Sequence, residues 1–139
     1  EPGETVDLSQ IDASLDVIAR AGARLSQLGD IVLAQATFSA VLAEDPEQLI
    51  ALVGKGQLAR QAEITGLNPE LASEAMQALN EAVRLATSQD EPVIRLYRAD
   101  ARLAQGDAEG ALEDLEAVDR VVLSPDLQAL YDLLTRSLN

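Results

Sequence analysis

The sequence predicts an all-α fold built from short antiparallel hairpins, and three observations predict it. Alanine and leucine, strong helix formers of modest bulk, supply 46 of the 139 residues, while aromatics make up only 2%. Apolar residues recur at steps of three and four along almost the whole chain, the spacing of one helical face. Two Gly-Asp pairs, Gly29–Asp30 and Gly106–Asp107, separate such segments; glycine supplies a left-handed exit and aspartate caps the helix that follows. At 14.8 kDa the chain has the size of one small domain.

The elements follow in order. Residues 1–10, with Pro2 and Gly3, read as a loose lead-in to a single domain over 11–138. Periodicity begins near Leu8 to Ile11 and continues through Leu15, Ile18, Ala21 and Leu25 to the turn at Leu28–Asp30. The next helix presents Leu33, Ala34, Phe38 and Val41 to the interior and stops by Asp45. Asp45, Pro46 and Gln48 then read as a cap, a first helical residue and a capping-box glutamine, opening a helix that runs to about Ile64. Gly66 ends it, and Asn68 with Pro69 restarts the chain into a helix whose face carries Leu71, Ala75, Leu79 and Ala82. A break at 87–90 precedes a helix from about Pro92. After Gly106–Asp107 comes a helix through Ala111, Leu115, Val118 and Val122, and Ser124–Pro125 opens a terminal helix over 125–138.

Composition excludes several functions. Ten basic against 24 acidic side chains give a net charge of −14, which argues against a nucleic-acid partner because phosphate neutralisation needs basic surface. Without cysteine or histidine the chain has no disulfide, no thiol chemistry, no His-based catalysis and no usual zinc or haem ligands. The longest apolar run, Leu49 to Val53, is five residues, far short of a membrane span. Gly54–Gly56 lacks the spacing of a phosphate loop and reads as close helix packing. No catalytic, metal or cofactor site is expected.

Two charged stripes stand out. Asp107, Glu109, Glu113, Asp114, Glu116 and Asp119 form an acidic cluster, expected to be a solvated face; no EF-hand spacing accompanies it. Arg95, Arg98 and Arg102 form the one concentrated basic stripe, expected to pair with Glu91 or with the following acidic helix, the alternative being contact with a ligand carboxylate.

Repetition narrows the fold. Ala34 with Phe38, Ala75 with Leu79 and Ala111 with Leu115 recur at separations of 41 and 36 residues, close to a period of about 34 with short insertions. With Gly22, Leu28–Asp30, Ala34, Phe38, Val41 and Asp45–Pro46 in order, the chain resembles the tetratricopeptide repeat family. The corresponding repeats are 15–48, 49–89 and 92–122, followed by a capping helix over 125–138. Two departures are the missing large aromatic early in each first helix and the arginines at 98 and 102. The resemblance implies a short right-handed solenoid of stacked hairpins, the first helix of each lining a concave groove. Matching positions are Ala23 and Gln27; Ile50, Val53, Gln57, Arg60 and Gln61; and Val93, Leu96, Asp100 and Leu103. The lysine, asparagine and arginine clamp of some relatives is not matched, since Ala19, Ala23 and Val53 stand at those places.

What the resemblance implies is a noncatalytic module whose partner is a protein or peptide segment held in the groove. A different class of function is a structural or self-associating scaffold, its groove filled by the lead-in or by Leu127–Leu138. The long second hairpin is similar to bacterial cytochrome c assembly repeat proteins, which implies a periplasmic place. The three repeats plus a terminal helix are similar to class II secretion chaperones, which implies a cytoplasmic one.

Overall fold

A computed structural model describes residues 8–65 and 69–139, and the side chains of 14–58, 61 and 70–139. Within the described residues all regular structure is helical: α1 (Leu8–Gln27), α2 (Ile31–Glu44), α3 (Leu49–Thr65), α4 (Pro69–Leu85), α5 (Glu91–Ala104), α6 (Ala108–Glu116) and α7 (Pro125–Ser137), with one 3-10 turn at Arg120–Val122. The break expected at Gly66–Asn68 and the lead-in over 1–7 lie outside the described residues; residues 8–10, expected in the lead-in, belong to α1.

The two Gly-Asp turns share one construction. Gly29 and Gly106 have φ of 88° and 83°, the left-handed region that a side chain disfavours. At the first turn the Asp30 N–H donates to Leu25 O at 3.0 Å and the Gly29 N–H to Ser26 O at 3.0 Å. At the second the Asp107 N–H donates to Arg102 O at 2.8 Å and the Gly106 N–H to Leu103 O at 3.0 Å. These are paired Schellman bonds that satisfy carbonyls at a helix end. Asp30 Oδ1 then accepts from the Leu33 N–H at 3.2 Å, and Asp107 Oδ1 from the Gly110 N–H at 2.9 Å, so each aspartate starts the next helix.

Two boundaries differ from expectation. The helix expected from Pro46 starts at Leu49: Asp45 Oδ1 accepts from the Glu47 N–H at 3.0 Å and so closes a turn. Gln48 is itself the cap, its Oε1 accepting from the Ala51 N–H at 2.7 Å while its Nε2 donates to Asp16 Oδ1 on α1. The helix expected through Val122 ends at Glu116, because Asp119 Oδ1 takes the Val121 N–H at 3.1 Å and starts the 3-10 turn.

Each helix packs on its chain neighbours, and α1, α3, α5 and α7 also pack on one another in that order. The core is accordingly a row of adjacent clusters. One joins Leu15, Ala19, Ala34, Phe38, Ala51 and Leu58; the next two centre on Leu52, Ala82 and Ile94 and on Ala75, Leu79 and Ala101; the last joins Leu96, Ala99, Ala111, Leu115 and Leu134. All three Ala-large pairs of the repeat are buried. Glycine makes room for the large member: a Cβ at Gly22 would stand 2.8 Å from Phe38 Cε1, and one at Gly54 or Gly56 would overlap Phe38 or Leu79. Gly54–Gly56 is thus a packing feature, as expected. No helix among the described residues is long and apolar enough to cross a membrane.

Candidate functional site

The face on which α3, α5 and α7 meet carries two recesses that share Asp100. One, of about 270 Å³, is lined by Gly56, Gln57 and Gln61 of α3, Tyr97 and Asp100 of α5, and Leu130 of α7. The other, of about 240 Å³, lies between α5 and α7 and is lined by Asp100, Leu103, Ala104, Leu133, Leu134 and Ser137. Gly56 lines the first recess, and its missing Cβ lets the α3 backbone come close to Leu79 in the core behind it. Gln61 ties this surface to α1: Ser26 Oγ donates to Gln61 Oε1 at 3.3 Å, and Gln61 Nε2 donates to Ser26 O at 3.4 Å. Tyr97 is hydrogen-bonded to Gln57, and burial pushes its phenol above the ordinary tyrosine range, so it stays neutral at physiological pH.

Of the predicted contact residues, Gln57, Gln61, Asp100 and Leu103 are brought together here. Ile50 and Val53 are half-buried and pack against the inner clusters, as does Ala23; Val93 is half-buried near the start of α5, and Gln27 is exposed at the end of α1. The side chain of Arg60 lies outside the described residues. Leu96 is a correction: it is 0% exposed within the cluster that includes Leu134 of α7, so it belongs to the core and not to a groove lining. The physical reason is that Ala111 and Leu115 of α6, Leu123, and Leu134 of α7 form one cluster with it.

Sequence reading missed Tyr97 and Leu130. Tyr97 was findable: it stands one turn before Asp100 and Ala101, the residues with which it shares the recess. Leu130 carries no such local signal, since its place depends on how the last helix docks.

The opposite side of α5 holds its charge. At 100° per residue, Arg95, Arg98 and Arg102 lie roughly across the helix from Tyr97, Asp100 and Ala104. All three guanidiniums converge on Asp114 of α6. Arg98 donates through Nη2 to Oδ1 at 2.6 Å and through Nε to Oδ2 at 2.9 Å; Arg102 Nη1 reaches Oδ2 at 3.0 Å and Arg95 Nη1 reaches Oδ1 at 3.3 Å. The outlying donors are also used: Arg95 Nε on Glu91 at 2.7 Å, Arg98 Nη1 on Asn80 at 3.3 Å and Arg102 Nη1 on Gly110 O at 3.0 Å. The basic stripe therefore pairs with Glu91 and the acidic helix, as expected. Asp114, expected on a solvated face, is instead fully buried, because it is the one carboxylate of α6 turned toward α5; Glu109, Glu113 and Glu116 remain exposed. Among the described residues no group of three or more acidic side chains is arranged to hold a metal ion.

Chemically, the recesses offer amides, a neutral phenol, a carboxylate and aliphatic walls. That combination suits contact with a peptide backbone and apolar side chains. No family model, no curated protein and no solved structure matches this chain.

Proposed function

We propose that this chain is a noncatalytic protein-interaction module, a short tetratricopeptide-like stack that binds a segment of another protein along the face of α3, α5 and α7. The observation that carries the reading is the pair of adjoining recesses sharing Asp100 of α5, a helix that the arginine cluster on Asp114 ties to α6 from its other side. A rigid frame lowers the ordering cost of docking, since the amides and apolar walls are already in place before a partner arrives. The mixed lining favours a segment with alternating apolar and polar side chains. The repeat of Gly-Asp turns and of buried Ala-large pairs supports the solenoid reading.

The test is selection of displayed random peptides on the immobilised protein, with Asp100→Lys as the counter-target. Peptides that bind the native chain, lose binding to the folded variant and shift the NMR signals of Gln57, Gln61 and Tyr97 are expected. Selected peptides that bind both proteins equally, or that leave those signals in place, would overturn the proposal.

A further inference from the structure

We propose that copies of this chain associate head to tail, the outer face of α1 in one copy seating in the α6–α7 groove of the next. Each end of the molecule exposes apolar surface. On α1 a shallow depression of about 500 Å³ is lined by Val17, Ala21, Leu25 and Leu28 between Arg20 and Arg24, with Val17 68% and Leu28 76% exposed. At the other end a groove of about 350 Å³ between α6 and α7 is lined by Leu112, Leu115, Tyr131 and Leu138, with Glu109 and Glu116 on its rim. Helical stacks need polar outer faces at their ends to stay single, and neither of these faces is polar.

Charge selects the occupant. Among the described residues the side chains of Arg20 and Arg24 take part in no ion pair or hydrogen bond, whereas Lys55, Arg84, Arg95, Arg98, Arg102 and Arg120 all have carboxylate partners. Two α1 faces meeting across a two-fold axis would gather four guanidiniums, and two α6–α7 grooves would gather four carboxylates. Head-to-tail docking alone sets unlike charges opposite each other. Glu109 and Glu116 stand roughly 10.5 Å apart along α6 and Arg20 and Arg24 roughly 6 Å apart along α1, a difference that the long arginine side chains can span. Such a contact is heterologous: a docked pair keeps one free face of each kind, the groove of one copy and the α1 face of the other, so growth continues beyond a pair. Repulsion between copies of net charge −14 opposes this at low salt; at 0.15 M ionic strength it is confined within about 8 Å.

Sedimentation velocity over a concentration series at that salt provides the test. The native chain is expected to gain mass without a plateau at two copies. The pair Arg20→Glu and Arg24→Glu, or the pair Glu109→Lys and Glu116→Lys, should raise the concentration needed by tenfold or more, and all four changes together should restore association. These positions are exposed, and far-UV circular dichroism checks that the variants stay helical. If they lose helicity, Leu28→Ser asks the same question at a solvated position. A native chain that stays monomeric, a dimer indifferent to the reversals, or a folded fourfold variant that fails to associate would each overturn the proposal. The recesses at Asp100 are untouched by these changes, so peptide binding there stands or falls separately.

Discussion

Replacing Asp114 by alanine tests whether the arginine cluster holds α5 on α6. The carboxylate is fully buried and accepts from three guanidiniums, with Arg98 gripping both oxygens. Removing one partner of a buried ion pair costs about 3–5 kcal/mol, because the remaining charge is left without compensation. Here the arginines are 13% to 26% exposed, and each keeps one other acceptor: Glu91, Asn80 or Gly110 O. They can turn partly to water, which places the cost near the lower end, at about 3 kcal/mol. At about 2.1 cal/mol/K per residue over 139 residues, the unfolding entropy is roughly 0.3 kcal/mol/K, so the melting temperature should fall by about 10 °C. Thermal and urea unfolding followed by circular dichroism read this directly, with exposed Glu113→Ala as the control, expected to change stability by no more than about 0.5 kcal/mol. Equal effects of Asp114→Ala and Glu113→Ala would refute the reasoning. So would a double-mutant cycle with Arg98→Met that showed no coupling.

Two further perturbations probe the packing and the recess. Gly56→Ala gains about 1 kcal/mol of helix propensity, yet its Cβ overlaps Leu79, an overpacking cost of about 1–3 kcal/mol; net destabilisation is expected, relieved when Leu79 is also shortened, as a urea-unfolding cycle would show. Stability gained with pH or an additive double-mutant cycle would each count against one of these readings, the second against the Gly56–Leu79 contact and the first against the burial of Tyr97. Burial raises the Tyr97 pKa, so its contribution is fully present below the ordinary phenol value near 10 and is lost as pH rises through the higher folded value. Phenolate absorbance should therefore show a late-titrating step that Tyr97→Phe removes.

Much of the fold was legible because its signals are local. A glycine that must adopt positive φ, followed by an aspartate that caps, marks a hairpin wherever it occurs, and Gly29–Asp30 and Gly106–Asp107 both fold that way. Buried small-large pairs at helical spacing likewise identify the interior without knowledge of the neighbours. The boundaries that moved, at Leu49 and Glu116, did so through competition among polar side chains. Asp45 and Gln48 can each cap a helix, and Gln48 prevails because its amide also reaches Asp16, 32 residues away. Local pattern cannot rank two caps when one of them gains a tertiary bond.

The candidate site was less legible for a related reason, visible along α5. Positions 95 to 103 were readable as an arginine stripe and a groove stripe, but the fate of each residue depends on which helix covers it. Asp114 turns the arginines into a brace by lying under α5, and α7, together with α6 and Leu123, turns Leu96 into core. Neither cover is encoded in the spacing of α5 itself. Yet the two covers together leave one side of the helix, at Tyr97 and Asp100, facing a recess, so the surface proposed to meet a partner is what the brace and the terminal helix do not occupy. Loss of the Asp114 brace should then weaken peptide binding at Asp100 without any substitution in the recess itself, a coupling that binding measurements on folded Asp114→Asn would reveal.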